Sequence, residues 1–129
     1  MDVNRLAAAI EQELLTYSDA ISEKIGEAVE TVAAEVNDEI KRRVTFRQRS
    51  GKYVKTFHIK KINTGSRYNH SRVWHVKSPH YRLTHLLEHG HALRGGGRTR
   101  AFPHIIFGEQ LAERRMPELT EKAVQDAGR

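Results

Sequence analysis

From Val3 to Ile40 apolar residues recur at three- and four-residue steps: Val3, Leu6, Ile10, Leu14, Tyr17, Ile21, Ile25, Val29, Val32, Val36 and Ile40. That spacing is the stripe of an amphipathic helix, and it predicts one long helix over residues 1–43, with its periodic part starting at Val3. At 1.5 Å per residue such a helix is about 60 Å long. A chain of 129 residues read as a single domain (residues 1–129) packs to a radius of gyration of only about 14 Å. The helix therefore either bends, near Tyr17–Asp19 or at Gly26, or projects from the body and packs on another subunit. Gly26 inside the pattern fits a kink or a close crossing. A free-standing coiled coil is the plainer alternative, weakened by a drifting stripe with many alanines.

Charge is segregated along the chain. Residues 1–40 carry ten acids against Arg5 and Lys24, a balance of −8. Residues 41–100 carry sixteen Lys and Arg against Glu88 alone, a balance of +15, and residues 101–129 carry −1. A segment of that charge repels itself and calls for a polyanion, an acidic protein surface or salt. Nucleic acid is one candidate partner and the acidic N-terminal helix, in cis or from a neighbour, is another. A solvated basic face without a partner is the bland reading.

The absence of cysteine excludes disulfides, thiol nucleophiles and Cys-ligated zinc. The longest apolar run, Leu6–Ile10, is far short of the roughly 20 residues that span a bilayer. Met1-Asp2-Val3-Asn4 does not open a secretory signal, so a cytosolic or virion protein with no membrane partner is expected.

Beyond the helix, Gln48–Gly51 reads as a turn and Tyr53–Ile59 alternates as a strand. Asn63–Ser66 is a second turn and Arg72–Lys77 a second strand. Tyr81–His89 reads as a short helix closed by Gly90, Arg98–Phe102 as a third short strand, and Gly108–Ala127 as a helix interrupted or kinked at Pro117. The fold class is α+β: a long N-terminal helix, a small antiparallel sheet within residues 50–105 that also holds helix 81–89, and a C-terminal helix over 108–127.

His85-Leu86-Leu87-Glu88-His89 matches H-x-x-E-H, in which two histidines one turn apart hold zinc and the glutamate is general base. His85 and His89 are thus weak metal candidates, with His80, His91 and His104 in reserve. Gly90 stops the helix at once, however, and nothing selects Glu109 or Glu113 as the third ligand that catalytic zinc needs. No catalytic residue, resident metal or cofactor is expected. Gly95-Gly96-Gly97, flanked by Arg94, Arg98 and Arg100, lacks both nucleotide-binding spacings. It reads as a tip that orders on a partner or as a plain surface loop. Aromatics interleaved with Lys and Arg over residues 52–82 have the composition of a single-strand nucleic-acid platform, although Phe57, Ile59, Trp74 and Val76 equally suit the buried side of a sheet.

The block Tyr81-Arg82-Leu83-Thr84-His85-Leu86-Leu87-Glu88-His89-Gly90-His91, with Arg94, Gly96-Gly97-Arg98 and Pro103-His104-Ile105, resembles the tail-component family of siphophages and prophages. These are the gene-product-ten-like head–tail joining or tail-completion proteins. Ser50-Gly51-Lys52-Tyr53 and the two flanking helices fit the same pattern, so the resemblance covers about residues 1–125. Where relatives often continue into a Pro-Ala-Glu helix start, this chain has Ile106-Phe107-Gly108-Glu109. The resemblance implies a non-enzymatic virion protein forming a ring in the neck, a hexamer in preference to a dodecamer. Head-closure or connector proteins and tail-terminator or tail-tube proteins would be its neighbours, with non-specific DNA contact in the channel. Tyr81, His85, Glu88, His89, Gly90, His91, Pro103 and His104 are then a structural signature. Leu83, Leu86 and Leu87 are expected to face the core, and the histidines to bond loop carbonyls or a neighbouring subunit. In a ring, Glu23, Glu27, Glu30 and Glu35 of one copy would meet the basic segment of the next, with Arg94, Arg98 and Arg100 at the interface. The alternatives are a nucleic-acid-binding module using residues 41–100 and a His-rich metal-dependent hydrolase or nuclease.

Overall fold

A computed structural model of the chain describes residues 2–46, 51–62, 65, 68–78 and 80–128. The first element is one unbroken helix, α1 (Val3–Arg42). Asp2 caps it by accepting from the N–H of Asn4 at 3.2 Å, and Lys41 and Arg42 in its last turn complement the negative end of the dipole. Helical assignment continues through both places where a bend was expected. Gly26 instead marks a close crossing: a Cβ there would lie 2.9 Å from the ring of His70, which bonds Ser22 at 2.9 Å.

A single helical turn, α2 (Lys52–Lys55), precedes a two-stranded antiparallel sheet of β1 (Phe57–Ile62) and β2 (Ser71–Val76), in register from Phe57↔Val76 to Ile62↔Ser71. Then come α3 (Tyr81–His89) and α4 (Ile105–Ala127). The class is α+β, as expected, but three boundaries move. Tyr53, expected to open a strand, lies in α2; a helical turn points its ring into the core, where it is 6% exposed. The expected strand Arg98–Phe102 shrinks to an isolated bridge, Ala92↔Arg98, because Phe102 donates its N–H to Leu87 O at the end of α3 rather than to a strand. Finally, α4 starts at Ile105 rather than Gly108 and runs without interruption through Pro117. The predicted turn residues Gln48–Ser50, and all of Asn63–Ser66 except Gly65, lie outside the described residues.

α4 lies antiparallel along the C-terminal part of α1. Gly108 sits against Val36 and Ile40, Arg115 reaches Glu35, and Ala123 lies beside Ala28 and Lys24. β2 packs on α1 too, with the Trp74 indole donating to Asn37 Oδ1 at 3.0 Å and Arg72 pairing with Glu30 at 3.0 Å. Buried apolar residues are few among those described: Ala28, Val32, Ile40, Tyr53, Val76 and Ala123. The core is thin, and much depends on how closely α1 and α4 approach. A Cβ at position 108 would stand 2.6 Å from Ile40 Cγ1. Since Ile40 is 1% exposed, it has nowhere to withdraw.

Gly108→Ala should therefore destabilise the fold by about 1–3 kcal/mol through overpacking, despite the roughly 1 kcal/mol that Ala gains over Gly in a helix. Ile40→Ala should lose about 2–5 kcal/mol. The double variant should lose less than the two singles together, because the new methyl occupies the space vacated by Ile40. Urea unfolding of the four proteins checks this; additive losses would show that the crossing is not tight.

Candidate functional site

The signature residues meet where α3 touches the start of α4. Thr84, Leu87 and Glu88, three and four residues apart, are the partly buried residues of α3. Leu83 and Leu86, expected in the core, are 45% and 38% exposed. The helix is turned so that a carboxylate rather than these two leucines enters the fold. Glu88 Oε1 accepts the N–H groups of His104 (2.9 Å) and Ile105 (3.0 Å), and Oε2 accepts that of Ile106 (3.1 Å). The first N–H groups of a helix have no intrahelical acceptor, and His104, the N-cap residue of α4, makes no side-chain cap. Glu88 thus caps α4 from sixteen residues upstream, which is why the helix begins at Ile105. Burial draws the Glu88 carboxyl upward. The N–H donors, Ile105 foremost, and the neighbouring His104 outweigh that and hold it below its ordinary value.

His104 is fully buried. Its Nδ1 lies 2.7 Å from Phe102 O and 3.0 Å from Glu88 Oε1. Both neighbours accept, so Nδ1 carries the proton, and Nε2 accepts from the Tyr53 hydroxyl at 2.8 Å; the tautomer follows from the partners. Burial pushes the Tyr53 phenol up, the Thr84 hydrogen bond pulls it down and the Glu88 charge adds to the rise. Phe46 closes this polar core, packing on the rings of Tyr53, Phe102 and His104 at 5.5–5.6 Å.

Gly90 ends α3 at φ 71° and gives its N–H to Leu86 O. A Cβ there would lie 2.6 Å from Thr99 O, so only glycine lets the returning chain cross the helix end. His91 is stitched to that chain: Thr99 N–H donates to His91 O, and the His91 N–H donates to Thr99 Oγ1. The other histidines are spread through the fold. His58 and His75 face each other across the sheet at 5.1 Å between ring centroids, His80 lies edge-on to Tyr53, and His70 wedges against Gly26.

The rings of His85 and His89 lie 4.9 Å apart between centroids, tilted by 54°, on the exposed side of α3. Glu88, the base of the H-x-x-E-H reading, borders the same cleft as the two histidines, but both its oxygens accept N–H groups at the start of α4. Among the described residues no group of three or more His, Asp or Glu is placed to hold a metal ion. The histidine pair borders an open cleft of about 610 Å³ between α3 and α4, lined also by Tyr81, Thr84, Glu88, Pro103, Ile105, Ile106 and Glu109.

The residues proposed from charge lie elsewhere. Glu30 pairs with Arg72 and Glu27 with Lys24. Glu35 receives two bonds from Arg115, at 2.9 and 3.1 Å, which hold its carboxyl below the ordinary range. Arg115 also reaches Glu118 at 2.8 Å. Glu23 is exposed on α1. At the glycine tip, Arg98 donates to Gly90 O at 3.4 Å, Arg100 lies 5.4 Å over the Phe102 ring and Arg94 is exposed. Of the aromatics in the nucleic-acid reading, Tyr53, Phe57 and Trp74 turn inward, Phe57 and Trp74 edge-to-face at 4.8 Å, while Tyr68 and Tyr81 stay exposed. Sequence reasoning missed Tyr53 and Arg115. No local signal marks either, because their partners lie about 50 and 80 positions away in sequence.

Comparison with known families gives the class, a bacteriophage tail component. The chain belongs to the HK97-gp10-like family, described as "Bacteriophage HK97-gp10, putative tail-component", whose sequence model matches residues 8–90. Neither a curated protein nor a solved structure matches it.

Glu88→Ala leaves three N–H groups at the head of α4 without an acceptor and should cost about 1–2 kcal/mol; Glu88→Gln, which keeps one acceptor oxygen, should lose less. Because folding depresses the Glu88 pKa, its contribution is present above the unfolded carboxylate pKa and lost as pH falls through the lower folded value. Acid unfolding of the parent should therefore steepen below the ordinary carboxylate range, and Glu88→Gln should flatten that limb. An unchanged acid limb, followed by circular dichroism, would remove Glu88 from this role.

Proposed function

We propose that this chain is a structural protein of the phage neck that joins head to tail as a homo-oligomeric ring, a hexamer in preference to a dodecamer. Its neighbours are head-closure or connector proteins on one side and tail-terminator or tail-tube proteins on the other. Its place is the virion, and any contact with DNA in the channel is non-specific. One observation carries the reading. Along the start of α1 an apolar face is exposed, with Val3 78%, Leu6 48%, Ile10 51% and Leu14 60% exposed. Apolar side chains repeated along one helical face favour burial against protein.

Two further features support a structural role over the alternatives. Hydrolysis through H-x-x-E-H needs a carboxylate available to water, and both Glu88 oxygens accept backbone N–H groups. Binding single strands by stacking needs exposed ring faces, and Trp74 is tied to Asn37 of α1. Glu23, Glu27, Glu30, Glu35, Arg94, Arg98 and Arg100 are the proposed subunit-interface charges. Glu30 and Glu35 already have partners within the chain, so reversing them should disturb the fold as well as assembly.

Phage lacking this protein should accumulate unjoined heads and tails, counted by electron microscopy, and the protein supplied in trans should restore joined particles. A purified ring should have a mass that is a multiple of 14.8 kDa. Normal joined particles in its absence would sink the reading.

A further inference from the structure

Alternation along β1 and β2 sorts the hairpin into two faces. Phe57, Ile59, Arg72, Trp74 and Val76 share the face turned to α1, where Trp74 donates to Asn37 and Arg72 pairs with Glu30. The register therefore puts His58, Lys60, Val73 and His75 together on the outer face. Lys77 follows them by the same alternation, since its N–H continues the ladder to Thr56 O at 2.8 Å. His58, Lys60, Val73 and Lys77 are exposed, and His75 is half-buried across from His58.

Nothing in the chain neutralises this outer face. Residues 44–87 contain no Asp or Glu, and among the described residues neither Lys60 nor Lys77 has an acidic partner. Glu88, the next acid along the chain, is spent on the start of α4. Glu30 reaches the hairpin only through Arg72, on the side of α1. The crowding is felt at His58, which partial burial first, then Lys77 and then His75 hold below the ordinary imidazole range. Like charges that close on one sheet face are unfavourable, and an anion brought to it relieves them.

The pattern fits a polyanion of dense, even charge. Lys60 and His58 stand two residues apart on one strand, about 7 Å at the rise of a β-strand. A DNA duplex carries one charge per about 1.7 Å of its axis, so it meets every cation of a two-stranded sheet face without a matched shape. The outer face offers no Phe, Tyr or Trp ring, so it lacks the platform on which single strands stack. We propose that the outer face of the β1–β2 hairpin contacts the phosphate backbone of double-stranded DNA through Lys60, Lys77 and His58. Contacts limited to phosphates carry no sequence information, so duplexes of any sequence are held alike. The proposal deepens the neck reading by naming the surface that meets DNA, and rests on it only for where the duplex is encountered.

Fluorescence anisotropy of labelled duplexes of unrelated sequence, titrated with the purified full chain, tests this. Affinity should be equal for the sequences and should fall steeply over about 50–200 mM salt. Lys60→Ala with Lys77→Ala should lower the slope of log affinity against log salt by about 2 and weaken binding about tenfold. Adding His58→Ala should weaken it further. Arg94→Ala with Arg100→Ala removes the same charge at the glycine tip and should cost less. An unchanged slope, or an equal loss from the tip pair, would mean diffuse attraction to a basic chain and overturns the proposal. Polyglutamate that displaces duplex at equal charge would mean an acidic protein partner, and tighter binding of single strands would mean stacking; either result also overturns it. Because the chain lacks cysteine, Val73→Cys carrying a photocrosslinker probes the face with its cations intact. It should cross-link to duplex where Leu93→Cys, 47% exposed in the parent at the tip, does not, and the reverse pattern would refute the placement. Failure of these tests leaves the structural role standing, whereas particles that join normally without the protein would refute the role and not the contact.

Discussion

Position 108 has no side chain, and the pairing of α1 with α4 depends on that. With a Cβ only 2.6 Å from Ile40 Cγ1, a larger residue would prise the helices apart along the part of the molecule that holds most of its buried apolar residues. Interiors packed at crystalline density do not absorb such displacements cheaply. The close approach brings Arg115 within bidentate reach of Glu35 and places Ala123 beside Ala28. It also lets Arg43 lie 4.2 Å over the Phe107 ring at the other end. Because α4 has twenty-three residues and α1 forty, pairing from the C-terminal end of α1 leaves the N-terminal end unpaired. The projecting helix follows from that length mismatch.

A thin apolar core is supplemented by a polar one. Glu88, His104 and Tyr53 form a chain of hydrogen bonds that ends on backbone groups of Phe102 and the first turn of α4. Such networks are strong when every member is satisfied and expensive when one is missing, since the low local dielectric raises both the gain and the penalty. This network fastens α3, which touches α1 little, to the helix that α1 does hold. Exposed Leu83 and Leu86 follow from it, because α3 cannot present Glu88 and Thr84 inward and those leucines as well.

The elements legible in the sequence were those with a local period or punctuation. The α1 stripe, the valine-rich β2 and the Gly90 stop each announce themselves within a few residues. What was illegible depended on partners far along the chain. The alternation of Tyr53 with its neighbours reads as strand, and only the buried acceptor at His104 explains why a helical turn serves better there. The start of α4 was misplaced by three residues because its cap is supplied by Glu88, so no Ser, Thr, Asp or Asn stands at the boundary. The Arg98–Phe102 segment, read as a third strand, spends its backbone on the chain leaving α3 instead, with Arg98 bridged to Ala92 and the Phe102 N–H on Leu87 O. H-x-x-E-H shows the same limit: the spacing correctly put His85 and His89 on one face, and it carried no information about what Glu88 faces.

Charge segregation acquires a sharper meaning once intrachain pairs are subtracted. In the second half of α1, Glu30, Glu35 and Glu39 are matched by Arg72, Arg115 and the Arg42–Arg43 pair. Much of the attraction between the acidic and basic segments is thus spent inside one chain, where it fixes the sheet and α4 against α1. The acids toward the N-terminus, Glu11 and Glu13, are exposed on the part of the helix that no other described element reaches. In the proposed assembly, any electrostatic attraction between copies would draw more on residues near the start of α1 than on the central glutamates that charge arithmetic alone brings forward. Such surface charges are screened over about 8–10 Å at 0.1–0.15 M salt, and each exposed pair contributes about 0–1 kcal/mol. Charges of that size can orient an approaching surface, whereas burial of the apolar stripe of α1, at about 25 cal/mol per Å² of apolar area removed from water, would supply the larger part of any stable contact made by that helix.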